Sequence, residues 1–120
     1  MRVLLDTNIL IDFLNDVEKA RAEIHRHADP AISIITWIEV LVGTPEHLSE
    51  ATRLFMSSFN VVEIRPDIAE EAVRIRQSHR LKLPDSVIWA TARAEDRLFV
   101  TRNTKDFPSG DDRVRVPYKR

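Results

Sequence analysis

Four acidic side chains stand where carboxylates can do chemistry: Asp6, Glu39, Asp85 and Asp106. Asp6 directly follows a short apolar run, and Asp106 lies five residues beyond another one. Glu39 is flanked by apolar residues, where a carboxylate is costly unless a partner offsets its burial. Acids that converge repel one another, and Mg²⁺ or Mn²⁺ relieves this repulsion because hard cations prefer oxygen ligands. If these acids meet, they would form a metal site that activates water for attack on a phosphodiester.

The other ligand types in the chain speak against zinc and against thiol chemistry. There is no cysteine, which excludes disulfides and Cys-based zinc sites. His25 and His27 are two positions apart on a predicted helix and cannot face one ion, while His47 and His79 are isolated. We therefore expect an acid-only site and no chemical role for the histidines.

Each acid also has a purely structural interpretation. Asp85 could cap the N-terminus of a helix, and Asp6 could accept hydrogen bonds within its own turn. Asp106 could lie in a solvated loop, and Glu39 could be neutralised by a salt bridge instead of a cation. The choice depends on whether the fold brings the four acids together.

Strands and helices are predicted to alternate along the chain. Apolar runs predict strands over residues 2–5, 31–33, 59–64, 98–101 and 114–116. Helical spacing and capping residues predict helices over 9–14, from an Asn15 N-cap to about 27, from 34 to Gly43, from Thr44 onward, over 66–80 and over 84–96. This alternation predicts a parallel sheet covered on both faces by helices. Ligands of such sheets bind at the carboxyl ends of the strands, where Asp6 and Asp106 are expected.

Length and composition predict an ordinary globular domain. The chain has 120 residues, of which 43% are hydrophobic and 31% charged, and we expect one domain over residues 1–120. No apolar stretch is long enough for a membrane helix, and the N-terminus lacks the pattern of a signal peptide. We therefore expect a soluble, cytoplasmic protein. The net charge is −1, but residues 1–60 carry −4 and residues 61–120 carry +3, so an acidic site can lie beside a basic rim.

Four segments of the chain resemble the motifs of PIN-domain nucleases. Residues 3–8 resemble the opening strand and turn, and residues 32–40, followed by Gly43, resemble the second acidic motif. Residues 83–92 and 100–107 resemble the third and fourth motifs. The four occur in order over nearly the whole chain, at spacings similar to those of VapC-type toxins of toxin–antitoxin pairs.

This resemblance implies a fold, an activity and partners. The fold would be a three-layer α/β/α sandwich with a central, mainly parallel sheet of four to five strands. The activity would be an endoribonuclease that depends on Mg²⁺, with Mn²⁺ as a substitute. The partners would be an RNA substrate, a VapB-type antitoxin and a second copy in a homodimer. By motif, the metal-binding acids would be Asp6, Glu39, Asp85 and Asp106, supported by Asn8, Thr101 and Asn103.

Basic and aromatic residues flank these motifs. Arg80 and Lys82 precede the third acid, and Arg102 and Lys105 flank the fourth; we expect them on the RNA backbone, the alternative being solvated surface charges. Trp37 and Trp89 could stack on an unpaired base, although their helical spacing is more typical of packing in a core or an interface.

Other functions were compared with the nuclease. A protein-binding module of the same fold could use the acids to accept basic side chains without catalysis. A receiver-like phosphoacceptor would need an Asp after the third strand, where only Arg65 and Pro66 occur. A structure-specific DNA nuclease would usually carry additional elements that 120 residues do not accommodate. Only the binding module stays as an alternative to the ribonuclease.

Overall fold

A five-stranded parallel sheet forms the centre of the computed structural model, which describes residues 1–107 and 110–120. Its strands are β1 (Val3–Leu5), β2 (Ala31–Ser33), β3 (Asn60–Val62), β4 (Leu98–Val100) and β5 (Val114–Arg115), in the order β3-β2-β1-β4-β5. Every neighbouring pair is parallel. The predicted parallel sheet is thus confirmed, and β1 lies in its middle.

Six α-helices connect the strands in the part of the chain that the structure describes. They are α1 (Thr7–Leu14), α2 (Glu18–His25), α3 (Ile34–Val42), α4 (Ser49–Met56), α5 (Pro66–Ser78) and α6 (Leu83–Ala94), with a 3₁₀ turn over Glu46–Leu48. In the described residues, none of the helices combines the length and apolar character that crossing a membrane requires.

The two faces of the sheet bury separate hydrophobic clusters. Leu4 and Phe99 point into the cluster that contains residues of α5 and α6. Val3 and Leu5 point the opposite way, into the cluster that contains residues of α1 to α4. Side chains that alternate between two buried faces require helices on both sides. The three-layer α/β/α arrangement is therefore confirmed.

Two predicted helix starts were wrong. Asn15 does not cap the second helix; its N–H donates to the carbonyls of Ile11 and Asp12 and so completes α1. Asp16 then turns the chain with a φ of 61°, and α2 begins at Glu18. Thr44 likewise closes α3, because its hydroxyl donates to a carbonyl four residues earlier. Short polar side chains stabilise both ends of helices, and the pattern alone did not distinguish them.

The two tryptophans differ in their surroundings. Trp89 is buried in the core, where it contacts the rings of His79 and Phe107 edge to face. Trp37 is partly buried beside the other cluster, and the guanidinium of Arg53 lies 5.5 Å from its ring centroid. Packing therefore accounts for Trp89, while Trp37 keeps one accessible side.

Candidate active site

Asp6 lies at the carboxyl end of the central strand and caps α1. Leu5 pairs with Val100 across β1 and β4, so Asp6 and Thr101 emerge side by side at the sheet edge. The Thr101 hydroxyl donates to Asp6 Oδ2 over 2.8 Å, and Asn8 Nδ2 donates to the same oxygen over 3.2 Å. The Thr7 amide donates to Oδ1 over 2.8 Å, so the N-cap side chain accepts the first N–H of α1. Three donors thus hold a carboxylate that is only 5% exposed.

The environment of Asp6 favours its neutral form. Burial raises the pKa of Asp6 from 3.8 to about 6, although the hydrogen bonds from Thr101 and Thr7 lower it. The charges of Asp85 and Glu39 contribute to this raised value. A carboxyl group whose pKa is raised by burial and by like charges gains from a nearby cation.

Glu39 reaches the same region from α3. This helix begins directly after β2, where Ser33 caps it, and so its second turn lies beside the start of α1. The Thr7 hydroxyl donates to Glu39 Oε1 over 2.7 Å and lies 2.9 Å from the Thr36 hydroxyl. Because Thr7 has one hydroxyl proton, Thr36 must be the donor of the second bond. Among the described residues Glu39 forms no salt bridge, so the structural interpretation considered for it does not apply.

Asp85 faces the other acids from the first turn of α6. The helix begins at Leu83 with Lys82 as its N-cap, so Asp85 is not a capping residue. Burial raises the pKa of Asp85, and the charges of Glu39 and Asp106 raise it further against the opposing charge of Lys82. The structural interpretation of Asp85 as a cap was therefore wrong.

Asp106 is exposed and is held by its own loop. Asn103 Nδ2 donates to Asp106 Oδ2 over 3.0 Å, while Asn103 Oδ1 accepts the backbone N–H groups of Lys105 and Asp106. The Asn103 N–H in turn donates to the Thr101 hydroxyl oxygen over 3.0 Å. Asn103 thus links the fourth acid to the threonine that contacts the first.

The four acids influence one another electrostatically, but they are too far apart to coordinate one metal ion together. The charges of Asp85 and Glu39 raise the pKa of Asp6, and the charges of Glu39 and Asp106 raise the pKa of Asp85. Within residues 1–107 and 110–120, no three acidic or histidine side chains lie close enough together to hold a metal ion as they stand. Their chemistry nevertheless fits Mg²⁺ or Mn²⁺, because the cluster offers only oxygen donors, and burial together with neighbouring acidic charges raises the pKa values of Asp6 and Asp85.

Two further residues of the site were missed by the sequence analysis. Thr7 bridges the first two acids, since its amide contacts Asp6 and its hydroxyl contacts Glu39. Thr36 is fully buried behind Thr7. Their signal was present, because Thr7 adjoins Asp6 and Thr36 precedes Glu39 by about one helical turn, but threonine is too common for that spacing to be diagnostic.

The four basic residues expected on RNA are not equivalent. Arg80, Lys82 and Lys105 are exposed. Arg102 is instead paired inside the protein, with Nε 2.6 Å from Asp12 Oδ2. An RNA contact by its guanidinium would have to break this ion pair.

A cleft of about 450 Å³ opens beside Glu39. Its walls come from α1, α3, the 3₁₀ turn and α4 and include the exposed apolar residues Ile11, Leu14 and Leu48. The acidic cluster therefore borders an apolar surface.

A family model supplies the relationship of this chain to known proteins. The model described as PIN domain matches residues 3–111. The chain belongs to the PIN-domain family. This family assignment agrees with the order of the four acidic motifs along the chain. A search of curated proteins gave no match.

Three solved structures resemble the chain over about nine-tenths of its length or more. One chain of a toxin–antitoxin complex from Klebsiella pneumoniae is 44% identical, with a TM-score of 0.92 and coverage of 98% of both chains. FitAcB from Neisseria gonorrhoeae is 23% identical with a TM-score of 0.80, again with coverage of 98% of each chain. VapBC2 from Rickettsia felis, bound to a DNA fragment from its promoter, is 21% identical with a TM-score of 0.78, and 89% of this chain and 91% of that chain are covered. The last two support the fold alone.

Proposed function

We propose that this PIN-domain protein is a metal-dependent endoribonuclease and the toxin of a type II toxin–antitoxin pair. The observation that carries the proposal is the electrostatic interaction of Asp6 with Glu39 and Asp85 near the carboxyl end of the sheet, where each acid comes from a different element. Purely structural acids have no reason to converge, because their mutual repulsion costs stability. The 44% identity to a chain of a toxin–antitoxin complex supports the biological role.

Asp6, Glu39, Asp85 and Asp106 are the residues that would hold the metal. When bound, Mg²⁺ or Mn²⁺ supplies an acidified water and neutralises charge on the phosphodiester in the transition state. The chain keeps the acids in place through its own hydrogen bonds. Thr7 orients Glu39, and Asn103 orients Asp106.

Hydrogen bonds to Asp6 have a second effect. Asn8 and Thr101 both donate to Asp6 Oδ2, and such donors favour the ionised carboxylate that a metal requires. The bond from Thr101 opposes the effect of burial on the pKa of Asp6. We assign Asn8 and Thr101 to a supporting role at Asp6, and Asn103 to a supporting role at Asp106.

The substrate would be oriented by exposed basic groups. Arg80, Lys82 and Lys105 lie next to the third and fourth acids in sequence and would contact RNA phosphates. In-line attack by water would leave a 5′-phosphate and a 3′-hydroxyl, whereas attack by the ribose 2′-hydroxyl would give a cyclic phosphate. End-group analysis of the products separates these two reactions.

A VapB-type antitoxin is the proposed protein partner, and a homodimer is the proposed assembly of the toxin itself. The solved structure from Klebsiella pneumoniae is described as a toxin–antitoxin complex. The 44% identity of one of its chains to this chain supports the expectation of an antitoxin. Co-expression with the neighbouring open reading frame, followed by size-exclusion chromatography with light scattering, tests the partner and the oligomeric state.

A non-catalytic binding module is the alternative. In that case the acids would accept basic side chains from a partner, and the protein would cleave no RNA. Purified protein, free of antitoxin, is incubated with a mixed RNA pool in Mg²⁺, in Mn²⁺ and in EDTA. Asp6→Asn and Glu39→Gln are tested beside Glu70→Gln, which removes an exposed acid on α5. Metal-dependent cleavage that is lost in the first two variants and kept in the third supports the nuclease. Absence of cleavage with folded protein supports the binding module.

A further inference from the structure

Asp12 is a fully buried carboxylate that the proposed metal site does not use. It lies on α1 at 0% exposure. Arg102 contacts both of its oxygens, with Nε 2.6 Å from Oδ2 and Nη2 3.2 Å from Oδ1. The Tyr118 hydroxyl donates to Oδ2 over 2.8 Å, and Arg120 Nη1 donates to Oδ1 over 2.7 Å. A buried carboxylate with this many donors holds its surroundings in one arrangement.

These contacts keep Asp12 ionised. Burial alone would raise the pKa of Asp12, but the hydrogen bonds from Arg102, Tyr118 and Arg120, together with the charge of Arg102, hold the pKa below its ordinary value. The negative charge is therefore a permanent anchor for the arginine at neutral pH. The same ion pair raises the pKa of Arg102.

Arg102 is the first residue after Thr101, and α1 holds it at two points. Its side chain is bound by Asp12, while its backbone N–H donates to Asn8 Oδ1 over 3.3 Å. Asn8 and Asp12 are four residues apart and lie on one face of α1. One helix face therefore fixes both the main chain and the side chain of Arg102.

The residues on either side of Arg102 reach the acids. Thr101 donates to Asp6, and Asn103 donates to Asp106. Movement of Arg102 would therefore displace both hydrogen bonds at once.

We propose that Asp12 is a positioning residue, which anchors Arg102 and thereby sets the loop 101–106 in the geometry that presents Asp6 and Asp106 to a divalent cation. This inference rests on the proposed function for its consequence in catalysis, but the anchoring of the loop can be measured without RNA. It also explains why Arg102 is paired with Asp12 inside the protein, where the sequence had predicted a contact with RNA.

Glu23 provides a matched control for a purely structural role. It is also buried, at 4% exposure, and it binds Arg115 through both oxygens at 2.8 and 2.9 Å and His27 at 2.9 Å. None of these three side chains contacts the acidic cluster in the described part of the chain. Arg115 contacts the loop through its backbone carbonyl, which accepts the N–H of Thr101 over 3.0 Å and does not involve its side chain. Removal of either buried charge is expected to destabilise the fold, because it leaves an arginine without its partner.

The test compares Asp12→Asn with Glu23→Gln. Amide hydrogen exchange over residues 101–106 and Mn²⁺ titration are recorded for both variants and for the unmodified protein. For Asp12→Asn we expect faster exchange over 101–106 and about tenfold weaker Mn²⁺ binding, the effect typical of lost outer-shell support. For Glu23→Gln we expect a lower Tm with unchanged exchange over that loop and unchanged Mn²⁺ affinity.

Arg102→Lys is a milder variant that covers the case in which Asp12→Asn does not fold. A lysine keeps the charge but contacts one oxygen at a time, so loop exchange should rise and Mn²⁺ affinity should fall by a smaller factor. The proposal is overturned if loop exchange in Asp12→Asn and Arg102→Lys matches that of the unmodified protein, or if Glu23→Gln loosens the loop equally. Failure of the unmodified protein to cleave RNA would refute the proposed function and leave the result on loop exchange intact.

Discussion

Thr101 and Asp6 are 95 positions apart in sequence, yet the Thr101 hydroxyl donates to Asp6 Oδ2 over 2.8 Å. The bond follows from strand register, because Leu5 pairs with Val100 and the next residue of each strand emerges at the same edge. Asp6 N also donates to the Val100 carbonyl over 2.9 Å, which continues the ladder by one residue. The sheet itself therefore brings the first acid to its principal donor.

Thr101→Val should weaken both metal binding and the fold. The substitution keeps the shape of the side chain but removes the donor that lowers the pKa of Asp6. We expect about tenfold weaker Mn²⁺ binding, and a cost in stability of about 1–3 kcal/mol because the buried donors left behind are unsatisfied. Isothermal titration with Mn²⁺ and denaturant unfolding measure the two effects.

Thr91→Val is the matched control for this variant. Thr91 is also fully buried, and its hydroxyl donates to the carbonyl of Val87 within α6. Its loss should lower stability only slightly and leave Mn²⁺ affinity unchanged. Equal losses of affinity in both variants would contradict a specific role for Thr101.

Metal affinity should decline as the pH falls through about 6. Burial, together with the charges of Asp85 and Glu39, raises the pKa of Asp6 to about 6, so protons compete with the cation below that pH. For a single competing proton, affinity falls about tenfold for each further pH unit. Mn²⁺ titrations between about pH 5 and pH 7.5 should show this decline of affinity below about pH 6. The variant Asp6→Asn should bind Mn²⁺ weakly and should not show this decline. A flat profile in the unmodified protein would disprove the raised pKa.

The metal-free protein should respond to pH in the opposite direction. A carboxyl whose folded-state pKa is raised binds its proton more tightly in the folded state than in the unfolded state. The contribution of Asp6 to stability is therefore complete below 3.8 and is lost as the pH rises to about 6. Thermal unfolding in EDTA should show that Asp6→Asn raises Tm near pH 7 more than near pH 4. A pH-independent effect of this substitution would contradict the assignment.

Thr7 should be replaceable by serine but not by valine. The Thr7 hydroxyl is the donor that holds Glu39 Oε1, so Thr7→Val should lower metal-dependent cleavage by about tenfold or more. Thr7→Ser keeps the hydroxyl and should retain most of the activity. Single-turnover cleavage assays at saturating Mg²⁺ compare the variants. Full activity of Thr7→Val would show that Glu39 needs no such orientation.

The sequence predicted the parallel sheet and the alternation of strands and helices better than the side-chain contacts at the sheet edge. The apolar runs before Asp6 and before the loop to Asp106 indicate buried strands of a parallel sheet, because such strands form continuous apolar segments that are visible in the local sequence. The ion pair between Arg102 and Asp12 could not be predicted from the sequence, because the two residues are 90 positions apart and each resembles an ordinary surface charge. Such pairs depend on tertiary packing, and periodicity in one segment does not encode them.

Lys82 and Lys105 should contribute to RNA affinity and to its dependence on salt concentration. Both lysines are exposed, and each phosphate contact with a single strand contributes about 0.7 to the slope of log K against log salt concentration. Lys82→Ala and Lys105→Ala combined should therefore weaken binding of an uncleavable RNA and reduce this slope by about 1.4. Because phosphate contacts carry no sequence information, the loss should be similar for unrelated RNAs.

Lys19→Ala, which removes an exposed charge on α2, serves as the control and should change neither quantity. Fluorescence anisotropy across a salt series, with Asp6→Asn as the inactive background, provides the measurement, and an unchanged slope in the double variant would remove both lysines from the RNA-binding surface.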